Sequence, residues 1–546
     1  MEALWHKNST IYQVDPALFK DGNGDGHGDF IGLRARLDHL RMLGADCLWL
    51  NPFYASPFRD GGYDVADHLQ VDPRFGDIRD FIAMLERAAQ YGIRVLLELV
   101  VQHTSDQHLW FQDARHHRRS KYRDYYVWSD EPVDTDFKPA FPDVEPSVWT
   151  WDEQAQQFYR HVFYAHEPDL NIANPLVRDE IRGIMGYWLR LGVSGFRVDA
   201  APYMAMQARA ADAREDGLWW LNEMKAFAEQ RSPRAILMGE ADVGVHRYSD
   251  FFDEGRRLTW LLDFWLNNHA FLAFARGEAQ PLVDAIAGRA PAPGDCSHAG
   301  WLRNHDQLDL DQLEPNERDE VLAAFAPEPA MRVYRHGIRR RLAPMFDGDV
   351  RRLAMAHALL FSLPGVPILR YGDEIGMGDD LSRPERLAVR TPMQWSNSPN
   401  AGFSAAPPDR LVAPVVDDRG YRPADVNVEA QLADPDSLLS HTRRLVLARQ
   451  GLREITGTSS ALQLDAPGVF GLRYDDAETG SSALLFTNLG AEDARFALPC
   501  TDTGPLVDVL CDRAYPAAAG DPPVIHVAGH GYRWLRTREP LLQTPF

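Results

Sequence analysis

The sequence predicts an α/β fold, a parallel (β/α)8 barrel of the TIM-barrel type, extended by two further parts. Eight short apolar or β-branched runs alternate with helical patterns between residues 10 and 371. Eight units match the strand number of this barrel, although the alternation alone would also allow an open, doubly wound sheet. A long connection follows the third run, and short strands with turns replace the alternation near the C-terminus. We therefore expect a barrel with an inserted subdomain after strand 3 and a C-terminal antiparallel β-sandwich.

The eight predicted strands are five to seven residues long. They span Thr10–Val14, Cys47–Asn51, Val95–Val100, Gly195–Asp199, Ile236–Glu240, Leu258–Phe264, Trp301–Asp306 and Pro367–Tyr371. Between the first two strands, Leu33, Leu37 and Leu40 recur at helical spacing, and Gly44 marks the expected end of that helix. A similar pattern precedes Gly92, so helices are expected to cover the outside of the barrel.

The chain divides into three predicted domains. Residues 1–103 and 176–450 form the barrel, and residues 104–175, rich in aromatic residues, Asp and Pro, form the inserted subdomain. The connections after the seventh and eighth strands are also long, and loops of more than about 15 residues are commonly functional. Residues 451–546 form the sandwich, with strands predicted at Val469–Tyr474, Ala483–Thr487 and Arg495–Leu498.

Composition excludes several classes of function. Of the 546 residues, 45% are apolar and 25% are charged, which is the balance of a globular protein. Lys and Arg number 57 against 79 Asp and Glu, and the net charge of −22 argues against nucleic acid or a membrane as the main partner. No apolar run follows a basic one at the N-terminus, and the four cysteines form no CxxC motif. We therefore expect a cytoplasmic protein with reduced thiols and a neutral or cationic ligand.

Polar side chains gather at the predicted strand ends, which lie on one rim of a parallel barrel. They are His103, Arg197, Asp199, Glu240, His305 and Asp306. Each alone could be a surface residue or a helix cap, but their joint placement favours an active site. Three carboxylates in one pocket suit the cleavage of an acetal, because retaining glycosidases need a carboxylate nucleophile and a carboxylic acid.

The local sequence separates the roles of the carboxyl groups. Arg197 stands two residues before Asp199, on the same face of the strand, and its charge would keep Asp199 ionised. Glu240 follows the apolar run 236–239, which favours burial and therefore retention of its proton near neutral pH. Asp306 would bind sugar hydroxyls in the distorted transition state.

Four motifs at these strand ends resemble those of the α-amylase superfamily of glycoside hydrolases. They are Val101–Asp106, Gly195–Ala200, Gly239–Ala241 and Arg303–Asp306, in chain order. The resemblance implies that Asp199 is the nucleophile, Glu240 the general acid/base and Asp306 the transition-state stabiliser. It also implies that His103 and His305 bind the glucosyl unit at the cleavage subsite.

The segment Asp60–Asp64 resembles the loop that closes the bottom of the pocket in this family. By this resemblance Asp60 binds sugar hydroxyls and Tyr63 stacks on the sugar ring. Arg386 stands four residues before an Arg-Thr-Pro-Met-Gln-Trp motif and would pair with Asp60. Such a pocket favours cleavage at a chain end, and these three side chains join Arg197 in the predicted substrate-binding set.

The segment 21–29 contains a predicted set of metal-binding residues, namely Asp21, Asn23, Asp25, His27 and Asp29. Side-chain oxygens at alternate residues are how proteins surround a hard divalent ion, although the distal glutamate of an EF-hand is missing. The resemblance implies a structural Ca²⁺ or Mg²⁺ in this loop, and the alternative is a metal-free turn rich in Gly and Asp. No organic cofactor is expected.

Further motifs resemble the trehalose synthases within this superfamily. They include Glu98, His103–Phe111, Trp149–Asp152, Gly337–Pro344 and Tyr371–Gly378. The resemblance implies a retaining α-glucosyl-transferring enzyme that interconverts maltose and trehalose, with sucrose as a further candidate substrate. An α-glucosidase or a transglucosylase would use the same residues, whereas an inactive binding subunit would lack one of the three acids. Monomer and homo-oligomer both stay open.

Some positions depart from the family pattern. Gln102 stands where Asn is usual, Glu167 where Gln is usual, and Ala241–Gly244 differs from the segment of typical trehalose synthases. Residues 257–287 also show little specific similarity to them. The specificity for the leaving sugar therefore stays open, while the catalytic residues are matched.

Overall fold

The centre of the computed structural model, which describes residues 5–209, 216–499 and 505–537, is a closed barrel of eight parallel strands. In chain order they are β1 (Ile11–Val14), β2 (Cys47–Leu50), β3 (Arg94–Leu99), β4 (Gly195–Val198), β5 (Ile236–Gly239), β6 (Trp260–Leu262), β7 (Ser297–Trp301) and β8 (Val366–Arg370). Each strand pairs with the next, and β8 pairs with β1 to close the ring. The predicted (β/α)8 barrel is confirmed.

Apolar side chains fill the barrel, because alternate residues of each strand point toward its axis. Trp49, Met238 and Trp260 are fully buried in this interior cluster, and Trp301 joins them from the last position of β7. A packed interior of this kind leaves polar chemistry to the rims of the barrel.

Helices cover the outside of the barrel. The main ones are Phe30–Ala35, Leu37–Leu43, Ile78–Gln90, Pro175–Leu191, Ala201–Arg209, Trp219–Arg231, Phe264–Arg276, Gln280–Gly288, Pro315–Phe325, Val350–Ser362 and Leu438–Gly451. The predicted stop at Gly44 is confirmed, since its left-handed φ of 88° ends the second of these helices. None of the helices in the described part of the chain combines the length and apolar character needed to cross a membrane.

The position predicted for the seventh strand is wrong. The sequence predicts Trp301–Asp306, whereas the strand spans Ser297–Trp301, a segment with small and polar residues instead of a β-branched run. Beyond the strand the chain turns, and the Arg303 guanidinium donates to the carbonyl oxygen of Asp306 at 2.8 Å. His305 and Asp306 therefore lie on the loop after β7, still at the carboxyl rim. The other seven strands lie within two residues of their predicted bounds.

The chain between β3 and helix Pro175–Leu191 forms a small unit of its own secondary structure. It contains helix Leu109–His116 and a three-stranded antiparallel sheet in the order Trp128–Ser129, Gln157–Arg160, Trp149–Asp152. Phe137, Val148 and Val162 belong to an apolar cluster within it. We refer to this unit as the insertion, and its domain bounds at residues 104 and 175 stay a prediction.

Two antiparallel sheets follow helix Leu438–Gly451. One has five strands in the order Thr458–Ala461, Val469–Asp475, Ser482–Asn488, Tyr532–Thr537, Leu506–Cys511, and the other has three in the order Ala494–Ala497, Pro523–Val527, Ala519–Gly520. Leu484, Phe486, Phe496 and Ile525 share one buried cluster to which both sheets contribute. The predicted antiparallel β-sandwich is confirmed.

Candidate active site

The three predicted catalytic carboxylates follow β4, β5 and β7 at the carboxyl rim. Asp199 comes directly after Val198, the last residue of β4, and Glu240 follows β5 in the same way. Ala200 has a left-handed φ of 47°, a strained conformation for a residue with a side chain. The resulting turn directs the backbone N–H of Ala200 to Glu240 Oε2 at 3.1 Å, so the backbone after β4 is joined to the acid after β5.

One buried guanidinium, that of Arg197 on β4, binds two of the carboxylates. It contacts Asp199 Oδ1 through Nη1, and its Nη2 lies 2.8 Å from Glu240 Oε1. Because a single guanidinium spans both groups, the arrangement suits the short carboxyl separation of retaining glycosidases better than the wider one of inverting enzymes. Arg197 therefore positions Glu240 as well as Asp199.

A fourth carboxylate, Glu98 on β3, binds the same guanidinium at 2.9 Å. Its other oxygen accepts hydrogen bonds from Trp49 Nε1 at 2.8 Å and from the Tyr63 hydroxyl at 2.9 Å. The sequence marks Glu98 only by a family resemblance, without a role. The signal that could have found it is a charged residue inside an otherwise apolar strand, because a buried charge needs a partner.

The carboxyl groups differ in their affinity for protons. Burial raises the pKa of Glu240 to about 7, against the attraction of Arg197 and helped by the repulsion of Asp199. Burial also raises the pKa of Asp199, and Arg197 opposes this shift. Burial acts on Asp306 in the same direction, but the neighbouring His305 ring and the guanidiniums of Arg386 and Arg390 outweigh it and lower the pKa of Asp306 below its ordinary value. Glu240 is therefore the carboxyl best suited to donate a proton near neutral pH.

Two arginines hold Asp306. Arg386 Nη1 lies 2.8 Å from Asp306 Oδ1, and Arg390 Nη2 lies 3.3 Å from the same oxygen. Arg386 also donates to Asp60 Oδ1 at 2.6 Å, so the structure brings together the Asp60–Arg386 pair. In the sequence Arg390 stands out only as the first residue of a motif, and nothing there points to its contact with Asp306. On this side of the pocket the two arginine charges are therefore neutralised by the carboxylates of Asp60 and Asp306.

The loop Asp60–Asp64 places Tyr63 against His305. The two rings stack at 5.4 Å between centroids and 9° between planes, and Tyr63 Oη lies 2.5 Å from His305 Nε2. Gly61 has a φ of 60°, and a β-carbon there would collide with Arg390 Nη1, so this position favours glycine. The loop therefore packs directly against the segment that carries Asp306.

His103, after β3, lies at the same rim beside the two departures from the family pattern. Its Nδ1 is 2.6 Å from Gln102 Oε1, and Gln102 Nε2 donates to Asp169 Oδ1 at 2.8 Å. Glu167 Oε1 lies 3.8 Å from His103 Nε2, and burial raises the pKa of Glu167 well above its ordinary value. Gln102 and Glu167, which both depart from the family pattern, therefore lie next to His103 and influence its position.

A cavity of about 510 Å³ opens onto this rim. Its lining residues include Glu240, Asp242, Asn304, Asp306, Asp309 and Arg386. The volume is that of a small-molecule site, and Asp242, Val243 and Gly244 of the segment Ala241–Gly244 belong to its lining. Asp199 is not part of this lining, but Arg197 joins it to Glu240 at the cavity wall.

Three loops meet beside the cavity. Tyr164 comes from the insertion, Tyr334 from the loop after β7 and Glu385 from the loop after β8. Both tyrosine hydroxyls lie within hydrogen-bond distance of Glu385 Oε2, at 2.7 and 2.6 Å, and they lie 2.9 Å from each other. We name these three residues the clasp. No periodicity in the sequence points to it, because its members are far apart in the chain.

Further contacts hold the clasp in place. Phe141, which lines the cavity, stacks on Tyr334 at 4.5 Å between ring centroids. Arg335 pairs with Asp143 of the insertion at 3.0 Å. Tyr334, Arg335 and Glu385 have positive φ angles of 49°, 65° and 44°, a strained conformation that surrounding contacts must stabilise. The three loops are thus joined at the edge of the cavity.

The predicted metal loop forms many internal hydrogen bonds. Asp21 Oδ1 accepts the N–H of Gly24 at 2.6 Å, and Asp29 Oδ1 accepts the N–H of Gly32 at 2.6 Å as the cap of helix Phe30–Ala35. These bonds shape the loop around its own backbone amides.

The remaining predicted ligands lie at the tip of the same loop. Asn23 Nδ2 donates to Asp25 Oδ2 at 3.1 Å, and the N–H of His27 donates to Asp25 Oδ1 at 2.9 Å. Within residues 5–209, 216–499 and 505–537, no group of three or more His, Cys, Asp or Glu side chains is arranged to hold a metal ion. Metal binding therefore stays a prediction.

Known proteins share this architecture. The alpha-amylase catalytic-domain family matches residues 13–308 and 332–457. A trehalose synthase of Pimelobacter sp. (strain R48) is 38% identical, covering 99% of this chain and 97% of that protein. The trehalose synthase/amylase TreS of Mycolicibacterium smegmatis is 37% identical, covering 98% and 93%. An oligo-1,6-glucosidase of Parageobacillus thermoglucosidasius is 29% identical, covering 91% and 93%.

Solved structures show the same fold. The α-glucosyl transfer enzyme XgtA superposes with a TM-score of 0.78 at 26% identity, covering 98% of this chain and 100% of that chain. A mutant of MutB in complex with glucose also gives a TM-score of 0.78, at 25% identity and with the same coverage.

Proposed function

Because this chain belongs to the α-amylase family, we propose that it is a retaining α-glucosyl-transferring enzyme that interconverts maltose and trehalose. The similarity to proteins named trehalose synthase supports this proposal. The observation that carries it is the clasp, which joins three loops beside a cavity lined by Glu240 and Asp306. Loops that are joined at the edge of a cavity favour retention of released glucose and limit the access of water to the glucosyl-enzyme.

In the first half of the proposed reaction, Asp199 attacks the anomeric carbon of the glucosyl unit. Glu240 donates its proton to the departing glycosidic oxygen, and a covalent β-glucosyl-enzyme forms together with free glucose. Asp306, kept ionised by the neighbouring arginines, stabilises the oxocarbenium-like transition state through the sugar hydroxyls. The Arg197 guanidinium keeps Asp199 ionised for its attack.

In the second half, the retained glucose turns and presents its 1-hydroxyl to the intermediate. Glu240, now ionised, takes the proton of that hydroxyl. The hydroxyl oxygen attacks the anomeric carbon and displaces Asp199. Two inversions restore the α configuration, so the product is trehalose, and attack by the 4-hydroxyl re-forms maltose. The glucosyl unit would be bound by Asp60, Tyr63, His103 and His305.

The second candidate function is an α-glucosidase, in which water attacks the same intermediate. The similarity to an oligo-1,6-glucosidase favours it, since the same three carboxylates would serve. A transglucosylase would pass the glucosyl group to another alcohol. The segment Ala241–Gly244 along the cavity bears on which sugar leaves.

Incubation with maltose separates these functions. We expect the wild type to form trehalose with little free glucose. In Glu385→Gln the clasp loses the carboxylate that accepts hydrogen bonds from both tyrosine hydroxyls. We expect the share of free glucose among the products to rise about tenfold, which corresponds to the loss of one charge-assisted hydrogen bond. Quantitative sugar chromatography measures both products, and parallel incubations with sucrose, trehalose and isomaltose define the substrate range.

Glu328→Gln provides the control, because Glu328 is an exposed glutamate on the same loop as Tyr334. Its product ratio should equal that of the wild type. Release of one free glucose for every maltose bond cleaved by the wild type would contradict the isomerase and favour the α-glucosidase.

We also propose a structural Ca²⁺ or Mg²⁺ in the loop 21–29. The residues fit such an ion in donor chemistry, since Asp21, Asn23, Asp25 and Asp29 offer side-chain oxygens, and Asp21 Oδ1 accepts a single backbone N–H, that of Gly24, and so keeps a lone pair. We expect Ca²⁺ to bind with measurable heat and to raise the melting temperature, and Asp25→Asn to weaken both effects. The absence of binding heat and of any thermal shift with either ion would contradict this proposal.

Our proposal extends to a cytoplasmic location. Cys47, Cys296 and Cys511, the cysteines within the described residues, are free thiols. Thiols of this kind suit a reducing compartment.

A further inference from the structure

Glu98 lies at the centre of the site but takes no part in the steps proposed above. The residue is 1% exposed, and its side chain contacts the guanidinium that binds Asp199 and Glu240. Burying such a group is costly unless it is paired. We propose that Glu98 is a positioning residue that acts through Arg197 and keeps the catalytic proton on Glu240. This inference rests on the proposed glucosyl-transfer reaction.

Arg197 supplies one positive charge for three carboxylates. Nη1 lies 2.9 Å from Glu98 and also contacts Asp199, while Nη2 lies 2.8 Å from Glu240. Burial raises the pKa of both Glu98 and Glu240, so near neutral pH the two carboxyl groups together retain one proton, and their other contacts decide which of them carries it. The carboxyl that carries this proton decides whether the site has a general acid.

The hydrogen bonds favour Glu240 as the carrier of the proton. Glu98 accepts from Trp49 and Tyr63 on one oxygen and from Arg197 on the other, and three donated bonds stabilise the ionised form. Glu240 forms an ion pair with Arg197 and accepts one backbone N–H in the described structure, and its side chain is 23% exposed. The proton is therefore held on the carboxyl that lines the substrate cavity.

The direction of a hydrogen-bond chain supports an ionised Glu98. Gln13 Nε2 lies 2.8 Å from His305 Nδ1, which makes Nδ1 the acceptor and leaves the ring proton on Nε2. Nε2 lies 2.5 Å from Tyr63 Oη, and Tyr63 in turn donates to Glu98. Burial lowers the pKa of His305 well below its ordinary value, so the ring stays neutral and the chain keeps this direction.

Titratable groups face Glu98 from every element packed against it. They are Tyr54 and Tyr63 after β2, Arg197 and Asp199 from β4 and its end, Glu240 after β5, and His305 with Asp306 after β7. Arg197 is the permanent cation of this set. When Glu98 is replaced by Gln, the Arg197 guanidinium pairs with only two carboxyl groups. Its attraction for Glu240 is then stronger, which favours the ionised form of Glu240.

The test is the pH dependence of kcat/KM for Glu98→Gln on an α-glucoside that the wild type turns over. In the wild type kcat/KM should fall as the pH rises through about 7, where Glu240 loses its proton. In the variant we expect this alkaline limb to lie about one pH unit lower. Glu98→Asp keeps the charge and should keep the limb at its wild-type position while kcat falls.

Glu374→Gln is the matched control. Glu374 is also fully buried, and it accepts from Tyr12 O–H at 2.6 Å and lies 2.9 Å from His39 Nε2, away from Arg197. The control should lose thermal stability without any shift of the limb. An active Glu98→Gln with an unshifted limb overturns the proposal, because a purely structural role scales kcat/KM equally at every pH.

Infrared difference spectra provide a second test that needs neither turnover nor a Glu98 variant. In the wild type we expect the C=O band of a protonated carboxyl to disappear as the pH rises through about 7. In Glu240→Gln this titrating band should be missing, since the proton resides on Glu240. A titrating band of undiminished intensity in that variant would show that the proton does not reside on Glu240 and would overturn the proposal. A wild type inactive on every α-glucoside would refute the proposed function and leave this spectroscopic test decisive for Glu98.

Discussion

Asp199→Asn is expected to reduce kcat on maltose by about 10⁵-fold, because without its carboxylate nucleophile no covalent glucosyl-enzyme forms. Asparagine keeps the shape of the side chain and removes the charge of one of the three carboxyl groups around Arg197. The melting temperature should therefore be retained or raised, as is common where an active site stores repulsion. Product analysis at substrate saturation and a thermal melt followed by circular dichroism measure the two effects.

Asp508→Asn is the control for this loss. Asp508 pairs with the fully buried Arg533 in the C-terminal sandwich, at 2.6 Å. Because the Asp508 side chain is 37% exposed, loss of its charge should lower stability by only about 1 kcal/mol, while kcat stays within a few-fold of the wild type. A normal rate in Asp199→Asn would refute its role as nucleophile.

Glu240→Gln is expected to lower kcat/KM on maltose by about 10³-fold, because the leaving sugar then departs without a proton. On α-glucosyl fluoride the loss should be far smaller, since fluoride leaves with little protonation. The variant should also lose the fall in kcat/KM that the wild type shows as the pH rises through about 7. Stopped assays with both substrates across a pH series test this.

Asp311→Asn serves as the comparison, because Asp311 lines the same cavity with a largely exposed side chain. It should keep the alkaline limb of the wild type. Equal losses on maltose and on the fluoride in Glu240→Gln would mean that this residue does not act as the general acid.

The barrel could be predicted because each strand is a short local pattern with a defined end. A run such as Ile236–Gly239 is recognisable on its own, and the residue after it, Glu240, is placed on the rim by the topology of a parallel barrel. The seventh strand could not be found in this way. Its segment Ser297–Trp301 has little intrinsic strand preference, and pairing with β6 and β8 on either side decides its position.

The site was predictable to the extent that its residues follow strand ends. The contacts of Glu98 with Trp49 and Arg197 could not be predicted, because they depend on three strands meeting inside the closed barrel. The clasp has the same cause. Tyr334 and Glu385 belong to loops without periodicity, and only the packed structure brings their side chains together.

The most direct measurement of the central claim is the identity of the side chain that carries the glucosyl group. A fluorinated α-glucosyl fluoride that forms the glycosyl-enzyme faster than it is released, followed by proteolysis and mass spectrometry, locates that group. We expect a labelled peptide that contains Asp199, with the modification on its carboxylate. A label on Glu240 or Asp306, or the absence of any label from an enzyme that turns over maltose, would contradict it.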